Sequence, residues 1–215
     1  GGQGVLLSLQ KYQYPNYPDA WTPWLYVGTN GYLYAGDWAG GVWQLATPIS
    51  PGWHIAVIEE WASSTSGPYY VALYLDGNYI GQSSTSTLAQ LFGFYSNAPY
   101  SYIGTGYTAG GWPGGNGGWF FFNGYIALVA LYPTVLNSTQ VASIGGGSNF
   151  KGLPPGYVAL YVGNSYVPGS QVWVDASGHG YNAQGYNGPN NLLYPYNFYS
   201  NTYTYTVPST THSTT

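Results

Sequence analysis

Tyr70-Val-Ala-Leu-Tyr-Leu-Asp-Gly-Asn-Tyr-Ile-Gly81 is the stretch on which the reading of this chain turns. Apolar and aromatic residues flank Asp76-Gly77-Asn78, and either Asp-Gly or Gly-Asn supplies the positive φ that a tight hairpin needs. Two antiparallel strands, 69–76 and 78–82, are therefore predicted. Just upstream, Gly52-Trp-His-Ile-Ala-Val-Ile-Glu-Glu-Trp61 predicts a third strand over 53–61. Period-two alternation puts Trp53, Ile55, Val57, Glu59 and Trp61 on one face, and His54, Ala56, Ile58 and Glu60 on the other.

Working outward, strands are expected at 5–11, 24–27, 32–35, 42–46, 100–104, 157–162 and 171–174, with Thr29-Asn30-Gly31 as a turn. Phe120 to Tyr132 is apolar on both faces and predicts a central strand covered on each side, or one with an interface on one face. The glycine-rich segment 109–118 reads as a mobile loop or as a close approach of backbones. Tyrosine and threonine alternate at 202–206, so 192–207 predicts a flat extended strand. Asn137 to Ile144 is the one credible helix, capped by Asn137 or Ser138 and stopped by Gly145 to Gly147. Many short strands and one short helix define an all-β chain.

Composition narrows the setting. Charged residues are 4% of the chain, against roughly 25% in ordinary domains. The 20% aromatic and 45% hydrophobic content argues for a packed core rather than disorder. Lys11 and Lys151 cannot form a basic patch, which excludes a nucleic-acid partner. There is no cysteine, so disulfides and thiol chemistry are excluded. No apolar run approaches the ~20 residues of a membrane span. Asn137-Ser138-Thr139 fits a glycosylation sequon, and 207–215 reads as a Ser/Thr-rich stalk. Both point to an extracellular or cell-surface location. With so few ionisable groups, stability is expected to be nearly independent of pH.

Taken in order, Trp53-His54, Leu73 to Gly77, Ile103-Gly104, Phe122 to Ile126 and the helix at 137–144 resemble the laminin-G-like, concanavalin-A-type lectin family. The resemblance implies a jelly-roll β-sandwich of two antiparallel sheets with one short helix. It departs from the family at Ala127-Leu-Val-Ala130, where acidic and basic residues are usual. Its order also differs. Gly156 to Ala183, including Asp175-Ala-Ser-Gly-His-Gly180, resembles the family's opening yet follows the closing helix. Three arrangements stand open: a circularly permuted sandwich completed by 156–207, strand exchange into a neighbouring subunit, or a second domain. The chain is accordingly divided into a sandwich over 1–150, displaced opening strands or a donor segment over 151–207, and a Ser/Thr-rich tail over 208–215.

Candidate sites are few. Glu59 and Glu60 point to opposite faces, so they cannot flank one glycosidic bond. His54, His179 and His212 are too scattered for a metal site. No Gly-x-Ser-x-Gly elbow marks a nucleophilic serine. No catalytic residue, cofactor or metal is expected. The alternative weighed is calcium on Asp37, Asp76 and Asp175, which the resemblance to lectin-like jelly rolls suggests. Trp112, Trp119 and Tyr107 flank the glycine-rich segment and are the expected ligand-binding residues, since aromatic faces stack on sugar rings. Asn137 is the expected glycosylation site. The expectation is a non-enzymatic extracellular structural or adhesive protein. It would be a homo-oligomer or polymer built by strand exchange, as a subunit of a surface filament, layer or virion. The alternative is a carbohydrate-binding, lectin-like module.

Overall fold

The computed structural model describes residues 2–37, 41–62, 64, 68–85, 98–167 and 169–185. The expected strand at 192–207 and the tail at 208–215 lie outside them. The chain divides into two compact units, Gly1–Tyr125 with Val135–Lys151, and Ile126–Thr134 with Gly152–Thr215.

The first unit is an antiparallel β-sandwich. Its strands are β1 (Gly4–Gln10), β2 (Trp21–Val27), β3 (Leu33–Asp37), β4 (Gly41–Gln44), β5 (Ala56–Ala62), β6 (Tyr69–Leu75), β7 (Asn78–Thr85) and β8 (Tyr100–Ile103). One sheet has the order β4-β3-β2-β1-β8 and the other β5-β6-β7. Alternation along the strands explains how they face each other. Leu25, Val27, Leu33, Ala35 and Leu45 of the larger sheet region bury against Leu73 of β6, with Ala56, Ile58, Leu75 and Ile80 packed around them. Gly81 on β7 leaves room for the Trp43 indole, which a Cβ there would overlap.

The hairpin predicted from the sequence is present. Asp76 (φ 51) and Gly77 (φ 79) form its two-residue turn, the double positive φ of a type I′ connection. Glu59 pairs with Ala72 and Glu60 with Val71, so the two carboxylates do take opposite faces. The helix α1 (Ser138–Ile144) starts at Asn137, whose side chain accepts from the Gln140 N–H while the Gln140 side chain accepts from the Asn137 N–H. Val141 and Ile144 form its buried face.

Phe120 to Tyr132 is not one strand. Asn123, Gly124 and Tyr125 are exposed, and the apolar run breaks there into a sheet-covering piece and β9 (Leu128–Leu131) of the second unit. A polar Asn-Gly in mid-run, not its apolar flanks, decides this. In the second unit β10 (Ala159–Val162) pairs antiparallel with β9 of its own chain. All four β10 residues are buried. β11 (Tyr166–Val167), β12 (Val172–Trp173) and β13 (Ala183–Gln184) make a small three-stranded sheet.

Candidate functional site

The outer face of β1 and β2 carries the most distinctive surface of the first unit. Segment 104–122 doubles back on itself as a ribbon. The Phe122 N–H donates to Gly104 O (2.9 Å), Phe120 N–H to Gly106 O (2.8 Å) and Thr108 N–H to Gly118 O (2.8 Å). Thr108 Oγ1 donates to Asn116 Oδ1 (2.8 Å), and Asn116 Nδ2 donates to Trp119 O (2.9 Å), pinning the turn. The ribbon is tied to the sheet by Val5 N–H to Phe120 O (3.1 Å) and by Tyr26 OH to Pro113 O (2.8 Å). Glycine is required here for contact. A Cβ on Gly106 would come within 2.8 Å of Ser8 and Val5, and one on Gly115 within 2.8 Å of Thr108. Within the glycine-rich segment 109–118, close backbone approach is found at Gly114 and Gly115, whereas a Cβ at Gly111, Gly117 or Gly118 would meet nothing within 4 Å.

The ribbon brings aromatic rings together with the loop before β2. Phe121 meets Tyr14 (5.4 Å between centroids), Tyr14 meets Trp119 (4.9 Å), and Trp119 meets Tyr107 (5.5 Å). Tyr107 meets Trp21 (5.1 Å) and Tyr17 (5.6 Å), and Tyr102 joins at Trp119 (6.2 Å). Every one of these contacts is edge-to-face, the geometry favoured by ring quadrupoles and worth about 0.5–1.5 kcal/mol per pair beyond burial. Trp21 Nε1 donates to Ala109 O (3.2 Å), and the Tyr14 N–H to Tyr102 OH (3.0 Å). The inner rings are half-buried. The ends of the array are open, with Tyr17 60% and Phe121 52% exposed.

Of the expected ligand-binding residues, Trp119 and Tyr107 thus meet each other in this array. Trp112 sits elsewhere, edge-on to Tyr26 (6.5 Å), which stacks on Tyr34 (4.9 Å). Burial pushes the Tyr26 phenol far above its ordinary pKa. Tyr17 and Phe121, the rings with free surface, were not legible as site residues, because only the folded ribbon brings them into one array. Beneath it lies Gln10, opposite Trp21 on β2 and Tyr100 on β8. Gln10 is fully buried, and neither amide atom has a hydrogen-bond partner.

A second constellation joins the start of β5 to the hairpin turn. His54 Nδ1 lies 2.8 Å from Asp76 Oδ2, and Nε2 lies 3.2 Å from Ser50 Oγ and 3.0 Å from Ser50 O. Asp76 Oδ1 accepts the N–H groups of Ile55 (2.9 Å) and Gly147 (3.0 Å). Partial burial works against the charge of Asp76, but those N–H donors and His54 outweigh it and hold the carboxyl below its usual pKa.

In the second unit, Asp175 is buried and governs the Asp-Ala-Ser-Gly-His-Gly loop. Its Oδ1 accepts from the N–H groups of Leu160 and Ser177 (both 2.9 Å), and its Oδ2 from that of Tyr181 (3.1 Å). Desolvation opposes its charge and is outweighed by these donors, so its pKa too is lowered. Asp175 thus spends both oxygens on backbone donors and Asp76 one on backbone donors and one on His54, and among the described residues no group of three potential metal-binding side chains occurs. The Asp37 side chain lies outside the description.

Glu59 is buried, and desolvation raises its pKa despite hydrogen bonds from Tyr74 and the Leu136 N–H. Asn137 is exposed. The helix cap uses its Oδ1 and leaves Nδ2, the atom that would carry a glycan, outside the cap.

No protein-family model, curated protein or solved structure matches this chain. No helix among the described residues is long and apolar enough to cross a membrane.

Proposed function

We propose that this chain is an extracellular structural and adhesive protein that binds rather than turns over its partner, with the aromatic face as its contact surface and a neutral glycan as the preferred occupant. The open-ended ring array carries this reading. Tyr17 and Phe121 present apolar surface at its two ends, while edge-to-face packing holds the inner rings in place. Aromatic platforms fixed before binding lose little conformational entropy when a sugar ring lies on them. The scarcity of charge disfavours an ionic ligand. Affinity electrophoresis in gels containing glucan, mannan or galactan tests the proposal. Retardation by at least one polysaccharide is expected, and Tyr17→Ala with Phe121→Ala should abolish it without lowering the melting temperature by more than a few degrees. Unretarded migration in all three gels would count against the glycan.

Self-assembly by strand exchange is the second reading, since the β9–β10 ladder that forms within one chain could form in the same register between two. Swapping β10 between two copies would preserve every residue pair of that ladder. Light scattering of the full chain across a hundredfold concentration range tests it, with growth in mass expected and a constant monomer mass against it.

A further inference from the structure

We infer that Tyr17 is a site of oxidative cross-linking between copies of this chain, supplied with oxidising equivalents by the rings behind it. The inference concerns the same face as the proposed glycan contact but does not depend on a glycan being bound there. The chain has no cysteine and no methionine, the side chains that ordinarily absorb oxidants. One-electron oxidation therefore falls on its 26 tyrosines and 9 tryptophans, and the contacts among rings decide where the vacancy ends. Trp119 lies 4.9 Å from Tyr14, 6.2 Å from Tyr102 and 5.5 Å from Tyr107, and Tyr107 lies 5.1 Å from Trp21. Both Tyr107 (5.6 Å) and Trp21 (5.5 Å) then meet Tyr17. At such separations the ring edges touch, and an electron vacancy passes between them faster than a reaction partner arrives by diffusion.

The proton sets the direction of travel. Trp21 Nε1–H donates to Ala109 O, an amide oxygen too weak a base to take that proton, so an oxidised Trp21 draws an electron from a neighbouring ring instead. The rings behind Tyr17 are half-buried, whereas Tyr17 is 60% exposed and releases its phenolic proton to water as it loses its electron. The neutral phenoxyl radical is the end of the path. Two Tyr17 radicals from two copies combine through the ring carbons next to oxygen. One C–C bond forms, and the hydrogens on those carbons move to the two oxygens, restoring both hydroxyls. Each tyrosine has then given up one electron and one proton. The co-reactant is an inorganic peroxide, whose O–O bond breaks as it takes up the two electrons, while the protons go to water. Such a link makes a contact between copies permanent in a chain that cannot form disulfides.

The test irradiates the full chain in dilute solution with ruthenium tris-bipyridyl and persulfate, then digests the covalent dimer and maps its cross-linked peptides. Tyr181 is the internal control, since it is 62% exposed and touches no other ring among the described residues. The dimer should have the mass of two chains less two hydrogen atoms, and Tyr17 should occur in its cross-links several-fold more often than Tyr181. Tyr17→Phe keeps the ring but cannot form a phenoxyl radical, and should remove most of the dimer without shifting the melting temperature. Trp21→Phe with Tyr107→Phe cuts Tyr17 off from Trp119, and should bring its coupling down to the level of Tyr181. Equal use of Tyr17 and Tyr181 in the wild-type chain overturns the proposal. So does undiminished coupling at Tyr17 in the folded double variant. Should that variant not fold, the wild-type ratio of Tyr17 to Tyr181 decides alone.

Discussion

Asp76→Ala removes an acceptor from three donors at once: Ile55 N–H, Gly147 N–H and His54 Nδ1. An N–H left unpaired away from water costs about 1–3 kcal/mol. The Asp76 side chain is 30% exposed, so water recovers part of that cost, and about 2–4 kcal/mol remains for the set. The backbone adds a further contribution. Asp76 has φ 51, in the left-handed region where a Cβ-bearing residue without a short polar side chain loses about 1 kcal/mol. The expected total is about 3–5 kcal/mol, the range for breaking one side of a partly buried pair. Asp76→Asn retains an acceptor oxygen for the two N–H groups and tolerates the same φ. It replaces the oxygen that accepts from His54 Nδ1 with an amide N–H, losing that hydrogen bond and the charge, and should cost about 1–2 kcal/mol. Urea unfolding followed by tryptophan fluorescence measures both, and it reports chiefly on the first unit because Trp173 is the only tryptophan of the second. At a slope of about 2 kcal/mol per molar urea, Asp76→Ala should lower the midpoint by about 1.5–2.5 M. A loss below about 1 kcal/mol, or an asparagine variant as damaged as the alanine one, would refute the assignment of Asp76 as the tie between strand, turn and helix exit.

Acid should destabilise the protein in a narrow window. Asp76 and Asp175 have folded pKa values below the ordinary 3.8, so their contribution is complete above the unfolded value and is lost as pH falls through the folded ones. Glu59, with a raised pKa, acts in the opposite sense and gains as it protonates. Melting temperatures should hold or rise slightly, through Glu59, from neutrality to about pH 4 and decline below it, unlike the pH-independence expected from composition, whereas no decline down to about pH 2 would contradict the role of both aspartates. Gly81→Ala should cost about 1–3 kcal/mol, since its Cβ overlaps the Trp43 indole, and a neutral result in thermal unfolding would mean that the sheets are packed more loosely there. Asn137→Ala should lose about 0.5–2 kcal/mol with the cap. Asn137→Asp should keep the cap but, in a glycosylating host, shed any glycan mass, so a destabilised aspartate variant would count against the cap geometry.

What the sequence made legible was local. The Asp76-Gly77 hairpin, the Asn137 cap and the opposed faces of Glu59 and Glu60 each depend on residues within a few positions of one another, where turn chemistry and period-two alternation decide. The break at Asn123-Gly124 was missed because hydrophobicity on both faces describes a buried strand and two buried fragments equally well. The site was half legible. Trp119 and Tyr107 attract attention as aromatics beside glycines, but their neighbours Tyr14, Tyr17 and Trp21 come from another part of the chain, and only the fold of the ribbon joins them. Trp112 has the same local signature and packs instead against Tyr26, whose phenol caps Pro113. The Ser50–His54–Asp76 contacts were hidden for a similar reason: the third member arrives through strand pairing, and no local motif marks the serine.

The use made of the few ionisable groups connects these observations. Asp19 pairs with Lys11, Asp76 with His54 and two backbone N–H groups, Asp175 with three backbone N–H groups, and Glu59 lies buried beside Tyr74 and Leu136. Hydrogen bonding of a carboxylate to backbone N–H groups fixes a turn with one side chain, and a chain with six acidic residues spends these four on internal structure. Little charge is left for recognition. On the proposed binding role, a partner would be read by shape, by apolar faces and by neutral hydroxyls and amides, the kind of surface that the ring array on the outer face of β1 and β2 offers. Such contacts keep their strength as salt rises, because no screened ion pair contributes to them.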